Sequence, residues 1–153
     1  MQRPLTLAAI GLAAAAVVIT ASMPALAGET PAPKGAKVYF IELKDGATVS
    51  NPVRVRFGLS GMGVAPAGTE KKNTGHHHLF INRPPLGKGP DGADEFDANI
   101  PADDNHVHFG GGQTETTVTL KPGKNTLQLV LGDQNHIPHN PPVTSEVITV
   151  TVK

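Results

Sequence analysis

All seven histidines of this 153-residue chain fall in three short clusters, and the chain contains no cysteine. The clusters are His76-His77-His78, His106-Val107-His108 and His136-Ile137-Pro138-His139. Imidazole loses its proton near neutral pH, and the nitrogen so freed ligates borderline metals such as Zn(II) and Cu(II). A single His-x-His is common; three clusters that meet in space make a site. The candidate metal ligands are therefore His76, His78, His106, His108, His136 and His139. Met62 joins them as a soft donor that would favour Cu(I), and it is the only methionine beyond residue 27.

The elements that must bring these residues together read as β-strands. After the first thirty-odd residues no apolar repeat has helical spacing, and short runs of β-type recur between turn signals. The runs are residues 38–43, 53–59, 76–82, 116–120, 126–131 and 146–152. Residues 53–59 set Val53, Val55, Phe57 and Leu59 against Arg54, Arg56 and Gly58, the alternation of a strand with one face in a core. Lys121-Pro122-Gly123-Lys124 reads as a tight hairpin turn. About seven such strands, allowing a short fourth one within residues 83–105, specify an all-β fold, an antiparallel immunoglobulin-like β-sandwich. Alternate loops of such a sandwich share a pole. Met62, the start of the triple histidine, the His106–His108 pair and the His136–His139 loop all fall at the same one.

Side-chain alternation then sorts the candidates. His106 and His108 share one face, leaving Val107 and Phe109 to the core, and two imidazoles about 6 to 7 Å apart along a strand can reach one ion. In the triple cluster His76, His78 and Phe80 share a face, opposite His77, Leu79 and Ile81. A one-residue slip exchanges these faces. The expectation is that His77 follows Leu79 and Ile81 inward while His76 and His78 face the site. Pro138, Pro141 and Pro142 exclude regular structure around His136 and His139, and Asp133 is placed to accept an imidazole N–H there. Neutral imidazoles as ligands imply binding that weakens as pH falls through about 6 to 6.5.

Other readings remain open at this level. The histidines can be structural, hydrogen-bonded to the backbone of a Gly- and Pro-rich pole in a non-catalytic module that binds a ligand or a protein. An organic ligand would call for an apolar pocket, with Phe109 and Gly110-Gly111-Gly112 as its walls. An enzyme would need an open metal position and a base, for which Glu115 or Asp133 are available, yet no Ser-His-Asp, His-Glu-x-x-His or paired-carboxylate signature is present. The loop 83–105 carries Asp91, Asp94, Glu95, Asp97, Asp103 and Asp104, but lacks the calcium-binding ladder of an EF-hand and reads as a solvated excursion.

The first 27 residues read as a signal peptide. Arg3 supplies a positive start, an apolar stretch follows from Leu5 to Ala21, and Ala25-Leu26-Ala27 fits cleavage after Ala27. The alternative is an uncleaved anchor, since the stretch is almost long enough to span a bilayer. Residues 28–36 read as a flexible tether and residues 37–153 as the domain. A periplasmic location follows, with no stable membrane insertion after cleavage. Thirteen Lys+Arg against thirteen Asp+Glu, with no basic stripe, argue against nucleic acid as a partner. Lacking disulfides, the domain must fold on its hydrophobic core.

Four stretches carry a resemblance. They are Gly61-Met62-Gly63-Val64-Ala65-Pro66-Ala67-Gly68, Thr74-Gly75-His76-His77-His78-Leu79, the run from His106 to Glu115 and the run from Leu131 to His139. In these the chain resembles a bacterial exported domain-of-unknown-function family, often a single domain after a signal peptide. The resemblance implies export and carries no activity. Asp45-Gly46-Ala47-Thr48-Val49 with Pro52-Val53 is also similar to the start of bacterial Ig-like modules and periplasmic copper-resistance sandwiches, an analogy that adds to copper as a candidate ion.

Overall fold

Val53, Val55 and Phe57 are buried while Arg54 faces solvent, so the alternation seen in the sequence is the alternation of a core-facing strand. The computed structural model describes residues 30–153; the segment read as an export signal lies outside the described residues. Its strands are β1 (Lys37–Ile41), β2 (Thr48–Val49), β3 (Val53–Ser60), β4 (Gly63–Val64), β5 (Thr74–Ile81), β6 (His106–His108), β7 (Glu115–Val118), β8 (Gly123–Gly132) and β9 (Ile148–Val152). Among the described residues no helix is long and apolar enough to cross a membrane.

Strands β1, β3 and β7 form one antiparallel sheet. The other runs β2-β9-β8-β5-β4, with β6 also paired to β5. This is the division of an immunoglobulin-like sandwich, with β1, β3 and β7 in the places of strands A, B and E and β5, β8 and β9 in those of C, F and G. The core lies between the sheets, where Val38, Val55 and Phe57 of the smaller meet Leu79, Leu127, Leu129, Leu131 and Val150 of the larger. The strand expected within residues 83–105 is replaced by a 3₁₀ helix, Gly92–Phe96. Residues 121–124 are not a hairpin between paired strands, because β7 pairs with β3 while β8 pairs with β5 and β9.

Two segments expected to be loose are bonded into the fold. Residues 83–105 cover the outer face of the larger sheet, where Leu86, Phe96 and Ile100 pack on Phe80 and Val130 as a second, smaller core. The acidic side chains of this loop had pointed to a solvated excursion; its three large apolar residues, widely spaced in sequence, decide otherwise. Residues 30–36 run along the 133–140 loop rather than hanging free. Ala32 N–H donates to Asn140 O at 2.8 Å, Asn140 N–H donates to Thr30 O at 2.9 Å, and Ala32 and Ala36 pack against the main core.

The two cores differ in weight, which yields a test. Leu129→Ala, at a fully buried position of the main core, is expected to lower the unfolding free energy by about 3 kcal/mol. Leu86→Ala, in the outer core, is expected to cost less and to speed amide exchange selectively in residues 83–105. Chemical denaturation with hydrogen exchange by mass spectrometry reads both.

Candidate metal centre

Ladder register decides which histidines meet. Strand β5 pairs with β8 so that His76 faces Gly132, His77 faces Leu131 and His78 faces Val130. On its other edge His78 faces His108 and Phe80 faces His106 across β6. Leu79 and Leu131 belong to the core between the sheets, so His77 goes inward with them, 5.1 Å from the Phe57 ring, and His76 and His78 take the outer face. His108 shares that face. The loop after β8 brings His136 over it.

Four imidazoles, those of His76, His78, His108 and His136, thereby offer one nitrogen each within 4.8 Å of one another. His76 Nε2 lies 3.0 Å from His78 Nε2 and 3.1 Å from His136 Nδ1. One ring nitrogen carries either one proton or one in-plane lone pair. His76 Nε2 therefore cannot make two good hydrogen bonds at once. His76 Nδ1, His78 Nδ1 and His108 Nε2 are buried with no hydrogen-bond partner among the described residues. Leaving such atoms unmatched costs about 1 to 3 kcal/mol each. Hydrogen bonding within the cluster does not satisfy these rings, and the four converging nitrogens could hold a metal ion. Imidazole-only sets suit Zn(II) and copper.

The loop carrying His136 is built by Asp133. Its Oδ1 accepts the backbone N–H groups of Asn135 and Ile137 at 2.8 and 3.0 Å, and its Oδ2 accepts the Thr30 hydroxyl at 2.6 Å. These bonds hold His136 at φ +64°, a left-handed conformation that an ordinary residue adopts only when its surroundings impose it. Asp133 was expected to receive an imidazole N–H; it organises the backbone instead. Ala67 N–H donates to Gly110 O at 2.8 Å and Gly68 N–H donates to Gln134 O at 2.9 Å, so the three loops that frame the site are tied together.

Room for the rings comes from glycine. A Cβ at Gly132 would lie 2.8 Å from His78 Nε2, and one at Gly110 would overlap the His108 ring. The sequence signal for this was slight, since each glycine simply neighbours a histidine cluster.

Of the other expected ligands, His106 has both nitrogens engaged. Arg83 Nη1 donates to its Nε2 at 2.7 Å, so Nδ1 carries the proton and donates to Asp103 Oδ1 at 2.8 Å. His106 and His108 do share a face, but Arg83, held by Glu95 at 2.7 Å and stacked over Phe80, draws His106 away from the four. His139 lies between two backbone carbonyls, Leu131 O at 3.3 Å and Thr74 O at 3.2 Å. Met62 is partly buried against the main core. Phe109 is in that core too, so it does not wall a ligand pocket with the glycine run. A cavity of about 590 Å³ lies instead between the sheet and the 83–105 loop, with Phe80, Arg83, Leu86, Ile100 and His106 in its lining.

Burial favours the neutral form of His76, His78 and His108. It pushes the His76 pKa down to about 4, aided by His136 and His108 and opposed by Asp133. It pushes His78 to about 2, aided by His76, His108 and His136. His108 is lowered for the same reasons. His77, in the core, falls to about 4 through burial, against a smaller upward pull from the Gln113 backbone.

The sign for stability follows. Below pH about 6.5 the unfolded chain takes up protons that the native chain refuses, so stability falls with pH. It levels off near pH 4 for His76 and His77, and near pH 2 for His78. Metal-free protein is expected to lose about 2 kcal/mol for each of these three histidines between pH 7.5 and pH 5. Urea denaturation at the two pH values measures this, and unchanged stability would show the imidazoles to be protonated or solvated.

No curated protein and no solved structure matches this chain. The family model described as "Domain of unknown function (DUF4399)" matches residues 55–153, which include all four converging histidines as well as Gly110, Gly132 and Asp133. The chain therefore belongs to the DUF4399 family of domains of unknown function.

Proposed function

We propose that this protein is an exported, periplasmic metal-binding protein that holds one Zn(II) or copper ion through His76, His78, His108 and His136. The observation that carries the reading is the convergence of four buried or half-buried imidazole nitrogens within 4.8 Å. Export is supported by the charged start, apolar stretch and Ala25-Leu26-Ala27 of the first 27 residues. A cysteine-free, all-imidazole site suits an oxidising compartment, where thiolates are lost. Four protein ligands leave no open position for substrate, which favours holding an ion over catalysis with it.

Titration of metal-free protein with Zn(II) and with Cu(II) at neutral pH, followed by calorimetry, tests the reading. One equivalent is expected to bind at low-micromolar concentration or tighter, raising the melting temperature as metal is added. His78→Ala is expected to weaken binding at least about a hundredfold, since even outer partners of metal ligands cost 10- to 100-fold. His106→Ala is expected to leave affinity within about twofold while lowering stability with and without chelator, because its bonds run to Arg83 and Asp103. Uptake of neither metal, or equal loss in the two variants, contradicts the proposal.

A separate variant isolates geometry from ligand count. Gly132 does not have the left-handed φ that penalises a side chain, so Gly132→Ala is expected to fold while its methyl pushes on His78. Affinity is expected to drop by about tenfold or more, because a displaced ligand is a lost ligand. Unchanged affinity in a folded Gly132→Ala protein would place the ion elsewhere.

A further inference from the structure

The mutual placement of the four rings says which coordination geometry they can deliver. With metal–nitrogen bonds of about 2.0 to 2.1 Å and about 1.1 Å more to the ring centre, a tetrahedral set puts all six pairs of ring centres about 5.2 Å apart. A square-planar set puts four pairs at about 4.5 Å and both diagonals at about 6.4 Å. Here His76–His78, His76–His136, His78–His108 and His108–His136 are 4.8, 4.9, 5.1 and 4.6 Å apart. The two remaining pairs, the diagonals of that circuit, are His76–His108 at 5.0 Å and His78–His136 at 5.9 Å. A plane requires two long diagonals, and only one is long. The rings occupy the corners of a tetrahedron slightly opened along His78–His136.

Resting on the metal-binding reading above, we infer that the site is built for Zn(II) in tetrahedral geometry and discriminates against the tetragonal preference of Cu(II). Zn(II) is d¹⁰ and accepts the geometry its ligands impose, whereas Cu(II) favours square-planar or tetragonal nitrogen sets and ordinarily outcompetes Zn(II). The frame resists flattening. His76 and His78 are fixed two residues apart on β5, His108 is held opposite His78 by the β5–β6 ladder, and His136 is set by the Asp133 loop. The absence of sulfur among the four ligands also favours Zn(II) over Cu(I), which soft donors select.

Co(II) serves as the spectroscopic stand-in for Zn(II). The full-length mature protein loaded with one equivalent of Co(II) is expected to show the intense visible absorption of four-coordinate tetrahedral Co(II), bleached stoichiometrically by Zn(II). Cu(II) is expected to displace Co(II) no more than about tenfold better than Zn(II) does, far short of its usual advantage. The weak spectrum of six-coordinate Co(II), or Cu(II) binding a thousandfold tighter with an electron paramagnetic resonance signal of four in-plane nitrogens, overturns the geometry while leaving metal binding standing. Displacement of Zn(II) by stoichiometric Cu(I) under ascorbate overturns the choice of ion. Failure to bind Co(II), Zn(II) and copper alike overturns the metal-binding reading itself.

Discussion

The β5–β8 register is the constraint on which everything at the site depends. With Leu79 opposite Leu129 and His77 opposite Leu131, the even-numbered residues of β5 stand on the outer face, and His76 and His78 stand together. A slip of one residue would send both into the core and turn Leu79 out of it. The fully buried leucines of β8, packed against Val55 and Phe57 across the sandwich, forbid that slip. The hydrophobic core thus positions the imidazoles although it contains neither of them. The cost is His77, carried inward because it lies between the two, and accommodated against the Phe57 ring, which in turn packs on Phe109.

Around this ladder, the remaining groups are supplied from a distance. His108 arrives through a three-residue strand whose central Val107 packs on the main core, and His136 arrives on a loop braced by Asp133 and by Thr30, over a hundred residues earlier. The outer face would otherwise be open to water. Ile100 and Leu86 close it beside Phe80, and Ile100 N–H donates to the His136 carbonyl at 2.8 Å, joining the cover to the site. Burial then does two things together. It favours the neutral form of His76, His78 and His108, and it takes the rings of His76 and His78 out of water, which is the condition under which four converging nitrogens could hold a cation.

Much of this was legible in the residues. Alternation at Val53, Val55 and Phe57, and at Leu127, Leu129 and Leu131, marked the two sheets that face each other. The parity of His76 and His78 against Leu79 separated outward rings from His77. Less legible were features that rest on contacts between distant segments. His106 has the same parity as His108, and only the packing of Arg83, 23 residues away in sequence, diverts it. The 83–105 loop looked solvated because charges outnumber Leu86, Phe96 and Ile100, whose common destination depends on how the loop folds back. Gly132 and Gly110 gave little sign of their role, since a missing side chain matters only when the neighbouring ring is in place. Residues 30–36 lack any periodicity, and are held by backbone bonds to Asn140, by the Thr30 hydroxyl on Asp133 and by two small side chains, Ala32 and Ala36, against the core.

Closure of four imidazoles of this chain on one ion is what the proposed site would show when loaded. X-ray absorption at the zinc edge of the Zn(II)-loaded protein tests it most directly, because imidazole rings scatter with a recognisable outer-shell pattern. Four imidazole ligands require a first shell of four nitrogens at about 2.0 to 2.1 Å, all with that pattern. A shell dominated by oxygen, or one in which no more than two scatterers are imidazole, would contradict it.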